Sequence, residues 1–109
     1  MDREQKARSN HRRGYSCASS VYTAFSDVNP KLGQPPIPRS DGGRCGAVLA
    51  ALKTLREMGI DRTDQFEEDF TARFGSVKCR DLMRTGKDCN DCVGAAAEIV
   101  ESLIGKENA

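Results

Sequence analysis

The sequence predicts an all-α fold, an irregular bundle of about four helices with one further short helix. Three observations predict it. Apolar residues recur at steps of three and four along most of the chain, the pattern of helices that bury one face. No segment alternates apolar and polar residues for the length of a strand. Glycine or proline closes the periodic segments where a helix would stop.

Residues 2–13 are polar, with five basic side chains against two acidic ones. They are expected to form a solvated arm over residues 1–13, frayed or partly helical. The first helix is expected from Tyr15 to about Val28, where Cys17, Val21, Ala24 and Val28 make one stripe and Asn29-Pro30 ends it. Residues 29–41 hold Pro30, Pro35, Pro36 and Pro38 with Gly33, which excludes helix and central strand. That connector is long for a compact domain and is a candidate contact surface.

Asp41-Gly42-Gly43-Arg44 leads into a second helix with the stripe Cys45, Val48, Leu52 and Leu55. Asp41 is its candidate cap and Gly59 its stop. Asp64 and Glu67 resemble a capping box opening a third helix, whose Phe66, Phe70 and Phe74 read as core, with Gly75 as the stop. Cys79 to Arg84 is a short helical turn. The last helix is expected from Asp88 to Ile104, with Cys89, Cys92, Ala96, Ile99 and Leu103 on one face and Gly105 ending it. Residues 14–105 thus read as one helical, cysteine-rich domain, and a chain of 109 residues has room for one core.

Composition narrows the functions. The net charge of +1 provides no field for nucleic acid, and the aromatic residues do not interleave with a basic patch. No run of 18 apolar residues is present, so no membrane span is expected. The opening Met-Asp-Arg-Glu-Gln-Lys has no apolar run behind it, and Arg12-Arg13 is not followed by one, so a cytoplasmic protein is expected. Glutamates 67 and 68 and Asp69 read as a solvated helix face, and Gly42-Gly43 lacks the residues of a phosphate loop. His11 is the only histidine and falls in the polar arm, which disfavours a Cys–His protease.

Five cysteines remain: Cys17, Cys45, Cys79, Cys89 and Cys92. The odd count cannot pair completely within one chain. Each lies near the start of an expected helix, where unpaired N–H groups and the helix dipole favour thiolate over thiol. Thiol pKa values below the ordinary range are therefore expected. Cys45 has the strongest local case, because Gly42, Gly43 and Gly46 allow close backbone approach and Arg44 adds a positive charge. Cys89-Asn90-Asp91-Cys92 is a C-x-x-C pair without the βαβ pattern of a thioredoxin or the second pair of a zinc ribbon. Four scattered cysteines leave two cofactor readings open, an all-thiolate zinc site and a two-iron cluster on Cys17, Cys45, Cys79 and Cys92.

The cysteine order resembles the C_GCAxxG_C_C family of small redox-active proteins, over about residues 14 to 104. Gly14-Tyr15-Ser16-Cys17-Ala18 is similar to its first segment and Gly42-Gly43-Arg44-Cys45-Gly46-Ala47-Val48-Leu49-Ala50 to its central motif. Phe74-Gly75-Ser76-Val77-Lys78-Cys79-Arg80-Asp81-Leu82 is similar to the third, and Cys92-Val93 to the fourth. Ala50 stands where the central motif ends in glycine, and Cys89 is outside the four-cysteine pattern. The resemblance implies redox chemistry on Cys17, Cys45, Cys79 and Cys92, with Cys89 accessory. The readings kept open are thiol–disulfide or electron-transfer chemistry, cysteine-bound metal, and a helical module that docks on a larger oxidoreductase through the 29–41 loop.

Overall fold

A computed structural model describes residues 2–31, 33–37 and 43–107. Among them the chain is all-α, with six helices and no strand. They are α1 (Arg3–Arg12), α2 (Cys17–Ala24), α3 (Gly46–Glu57), α4 (Thr63–Phe74), α5 (Cys79–Arg84) and α6 (Cys89–Glu107). Helix α6 is the spine, packing on α1, α2, α3 and α4. Its buried side is Cys92, Val93, Ala96, Ile99, Val100 and Leu103, close to the expected stripe. No described helix is long and apolar enough to cross a membrane.

The polar arm expected over residues 1–13 is instead a docked helix, α1. Asp2 caps it by accepting from the Gln5 amide at 2.8 Å. Only Ala7 and Asn10 are buried, so no apolar stripe announces it. It is held by polar groups. Arg3 donates to the Ala24 carbonyl at 2.8 Å and pairs with Asp27. Arg8 lies over Gly94 of α6, where any Cβ would collide with the guanidinium. The buried Asn10 side chain donates to the Ser20 carbonyl at 3.3 Å, and its backbone carbonyl accepts from Tyr15 at 3.2 Å. Gly14, at φ 101°, turns the chain so that the end of α1 meets the start of α2.

Several boundaries differ from expectation: α2 begins at Cys17 rather than Tyr15, and α3 begins at Gly46, which leaves Cys45 as its cap rather than on its buried stripe. Helix α2 ends at Ala24, four residues early, and Val28 is exposed. Arg62 occupies the cap position of α4, which places Asp64 inside the first turn, where its charge still suits the helix dipole. Gly105 does not end α6, which continues to Glu107. Gly59 and Gly75 follow their helices at φ 75° and 84°, the left-handed conformation that glycine stops supply. Phe66 and Phe70 are fully buried and stacked with ring centroids 5.8 Å apart, and Phe74 lies tilted against Phe70 at the margin.

Of the 29–41 connector, residue 32 and residues 38–41, with Pro38 and Asp41, lie outside the described residues. Its first part is strapped to α2 and α3. Tyr22 donates its hydroxyl proton to Glu57 and accepts from the Gly33 amide at 2.7 Å. Asn29 donates to the same Glu57 carboxylate at 2.9 Å, and Lys53 donates to the Gln34 carbonyl at 2.6 Å.

A candidate thiol cluster at the helix starts

Each of the five cysteines stands at or within one turn of a helix start. Cys17 opens α2, Cys45 is the cap residue of α3, Cys79 opens α5, Cys89 opens α6 and Cys92 lies one turn further along it. Ser16 caps α2 by accepting from the Ser19 amide at 3.0 Å, which fixes where Cys17 falls. Asp88 accepts from the Asn90 amide at 2.7 Å and does the same for Cys89.

Two contacts draw the starts together. Gly46 faces Ala18 so closely that a Cβ there would stand 3.1 Å from the Ala18 nitrogen and 3.5 Å from the Cys17 Cβ. Helix α3 can therefore approach α2 only because residue 46 has no side chain. Arg44 and Lys78 form an isolated antiparallel bridge, and the Cys45 amide donates to the Val77 carbonyl at 2.9 Å. That rung sets Cys45 beside the segment that carries Cys79. Gly43, at φ 80°, precedes it. Gly42 lies outside the described residues.

All five thiols are free, and they differ in access. Cys45 and Cys92 are buried, Cys17 and Cys79 are partly buried, and Cys89 is exposed. Cys79 also directs its Sγ to the Met83 Sδ at 3.7 Å. The thiols act on one another electrostatically. Burial first, then the charges that Cys89, Cys45 and Cys79 would carry, push the Cys17 thiol up to about 12. Burial, with Cys45, Cys89 and Cys17 behind it, pushes Cys92 up to about 12 as well. Cys45 is raised by burial, although the Ala47 and Val48 amides pull it down without closing a side-chain cap hydrogen bond.

The expectation of thiols activated by helix ends is thus reversed for Cys17, Cys45 and Cys92. A helix end contributes about 0.3–1 kcal/mol, less than one pKa unit, whereas full burial shifts a group by up to about 3–5 units. Arg44, expected to lend its charge to Cys45, reaches instead to Glu67 at 3.4 Å.

Comparison with family models, with curated proteins and with solved structures finds no match. Among the described residues, no group of three or more His, Cys, Asp or Glu side chains is placed to hold a metal ion. No step below runs through a metal.

Two residues beside the cluster escaped the sequence reading. His11 Nε2 lies 3.8 Å from Cys17 Sγ, and Asn90 Nδ2 lies 3.3 Å from His11 Nδ1. His11 is on α1 and Asn90 on α6, so their meeting at Cys17 depends on the docking of α1. The sequence signal that could have found it is Asp2 as a cap before a run of good helix formers, opposite the small-residue stretch Gly94-Ala95-Ala96-Ala97.

Proposed function

We propose that this protein is a thiol–disulfide redox protein in which Cys89 is the sulfur reached from solvent and Cys17 is its disulfide partner. One observation carries the reading: all five cysteines stand at or within one turn of a helix start, and Cys89 is the exposed one among them. Cys17 and Cys89 open α2 and α6, which pack on each other, and after burial Cys89 is the strongest influence on the Cys17 thiol. The resemblance of the cysteine order to a redox-active family supports the reading, and the exposure of Cys89 moves that residue from accessory to central.

The chemistry balances over two exchanges with a disulfide-bearing partner protein. The Cys89 thiolate attacks one partner sulfur, the partner's S–S bond breaks, and its second sulfur leaves as thiolate. Cys17, deprotonated, then attacks Cys89 in the mixed disulfide and releases the first partner sulfur. Cys17 and Cys89 are oxidised by two electrons, the partner disulfide is reduced, and two protons pass from the pair to the partner thiols. Cys45 and Cys92, protonated and buried, stand behind the pair.

Differential thiol labelling across a series of glutathione redox buffers, read by mass spectrometry, tests this. Two free thiols are expected to disappear between reducing and oxidising buffers, with a linked peptide that joins Cys17 to Cys89. Five free thiols at every potential would overturn the reading.

A further inference from the structure

His11 and Asn90 sit against Cys17, and the exchange above uses neither. Access decides what they can do. Cys89 is exposed and Cys17 is partly buried, so a thiolate from solvent reaches the Cys89 sulfur of a Cys17–Cys89 disulfide. The Cys17 sulfur must then leave with the negative charge. Exchange is faster when the leaving thiolate is stabilised. Burial works against that charge, and a hydrogen bond donated to the ionised sulfur works for it.

His11 is placed to donate that bond, with Nε2 at 3.8 Å from Cys17 Sγ. The far side of the ring decides whether Nε2 carries the proton. Arg8 fixes the Asn90 amide from both ends: Arg8 Nη1 donates to Asn90 Oδ1 at 3.1 Å, and Asn90 Nδ2 donates to the Arg8 carbonyl at 3.1 Å. Reversing the amide would set its NH2 against the guanidinium and its oxygen against a carbonyl. Arg8 is itself held by Asp91 at 2.9 Å and Glu4 at 3.1 Å. A donor, Nδ2, therefore faces His11 Nδ1 at 3.3 Å, and Nδ1 must accept. The ring proton of the neutral imidazole sits on Nε2, aimed at the sulfur.

Resting on the thiol–disulfide reading, we propose that His11 donates Nε2–H to the Cys17 sulfur and makes Cys17 the leaving sulfur when an external thiol opens the Cys17–Cys89 disulfide, with Asn90 as the positioning residue that sets the tautomer. In that step the incoming thiolate bonds to Cys89 Sγ. The Cys17–Cys89 bond breaks and its electron pair passes to Cys17 Sγ. The incoming sulfur is oxidised, Cys17 is reduced, and the new thiolate rests on the His11 N–H until water supplies a proton.

The test uses the full chain, oxidised to the Cys17–Cys89 linkage and reduced by excess 2-mercaptoethanol, with acid quenching and mass spectrometry. The mixed disulfide is expected on Cys89. His11→Ala is expected to slow reduction about tenfold or more, the effect of removing a hydrogen bond to an ionised sulfur. His11→Gln keeps an N–H donor and is expected to restore most of the rate. Asn90→Asp sets a carboxylate against Nδ1, draws the ring proton to that nitrogen and slows reduction, with the ring 15N shifts of His11 recording the switch. Rates are compared among variants with unchanged melting temperatures, and Asn90→Asp carries the comparison if His11→Ala does not meet that condition. A linkage that forms but opens equally fast in wild type, His11→Ala and Asn90→Asp overturns this proposal alone, as does a wild-type ring protonated on Nδ1. Absence of the linkage in wild type overturns it together with the reading on which it rests.

Discussion

Raising the pH from 8 to 11 under reducing conditions is expected to destabilise the protein steeply. Cys92 is 2% exposed and its thiol is pushed from an ordinary 9.0 to about 12. The unfolded chain releases this proton as the pH passes about 9, while the native chain keeps it to about 12. A thiol raised in this way contributes stability that is complete below the unfolded value and is lost as the pH climbs toward the folded one. The slope is about 1.4 kcal/mol per pH unit for one such thiol. Cys17, raised to about 12 by burial and its neighbours, acts in the same direction, reduced by its partial exposure to solvent. Tyr22 is also raised by burial, so the thiol share is isolated by comparison with Cys92→Ala. Urea denaturation at pH 7.5, 9 and 10.5 should give a falling midpoint in wild type and a flatter one in Cys92→Ala. A wild-type midpoint that holds constant across that range would refute the account of the buried thiols.

The second large effect is expected from Gly46→Val. The added carbons would enter space bounded by backbone, with the Ala18 nitrogen 3.1 Å from the first of them. Backbone cannot rotate aside as a side chain can, so α3 must back away from α2. Forcing volume into a packed contact costs about 1–3 kcal/mol. For a chain of this size, the melting temperature should fall by roughly 4–8 °C per kcal/mol. The same displacement draws Cys45 away from Cys17, so alkylation of Cys17 should accelerate. Gly105→Ala is the control: nothing lies within 4 Å of a Cβ there, and in the last turn of α6 alanine in place of glycine is expected to leave the melting temperature unchanged or slightly raised. Equal melting temperatures for wild type and Gly46→Val would show that the glycine does not hold the two starts together.

The fold was legible where burial follows a simple period. Val48, Leu52 and Leu55 on α3, and Ile99 and Leu103 on α6, recur at three and four and are buried as that spacing demands. Helix α1 was illegible because it docks through Arg3, Arg8 and Asn10, whose partners lie on other elements. The placement of the cysteines at helix starts was readable from the sequence, since caps and glycines mark those starts. Their electrostatics were not. The dipole of a helix can be assigned from its boundaries, but the depth of Cys92 and the proximity of Cys89 to Cys17 are tertiary facts. His11 was set aside for the same reason, since six positions of chain separate it from Cys17 and a turn at Gly14 closes the gap.

The single rung between Arg44 and Lys78 gives the cluster an internal clock. The Cys45 amide proton is committed to the Val77 carbonyl at 2.9 Å, with no neighbouring ladder to share the load. Its exchange with deuterium measures how often the segment before α3 parts from the segment before α5. If oxidation at Cys17 and Cys89 tightens the helix starts, that one proton should exchange more slowly in the oxidised protein, and its decay gives the lifetime of the closed cluster without any label on sulfur.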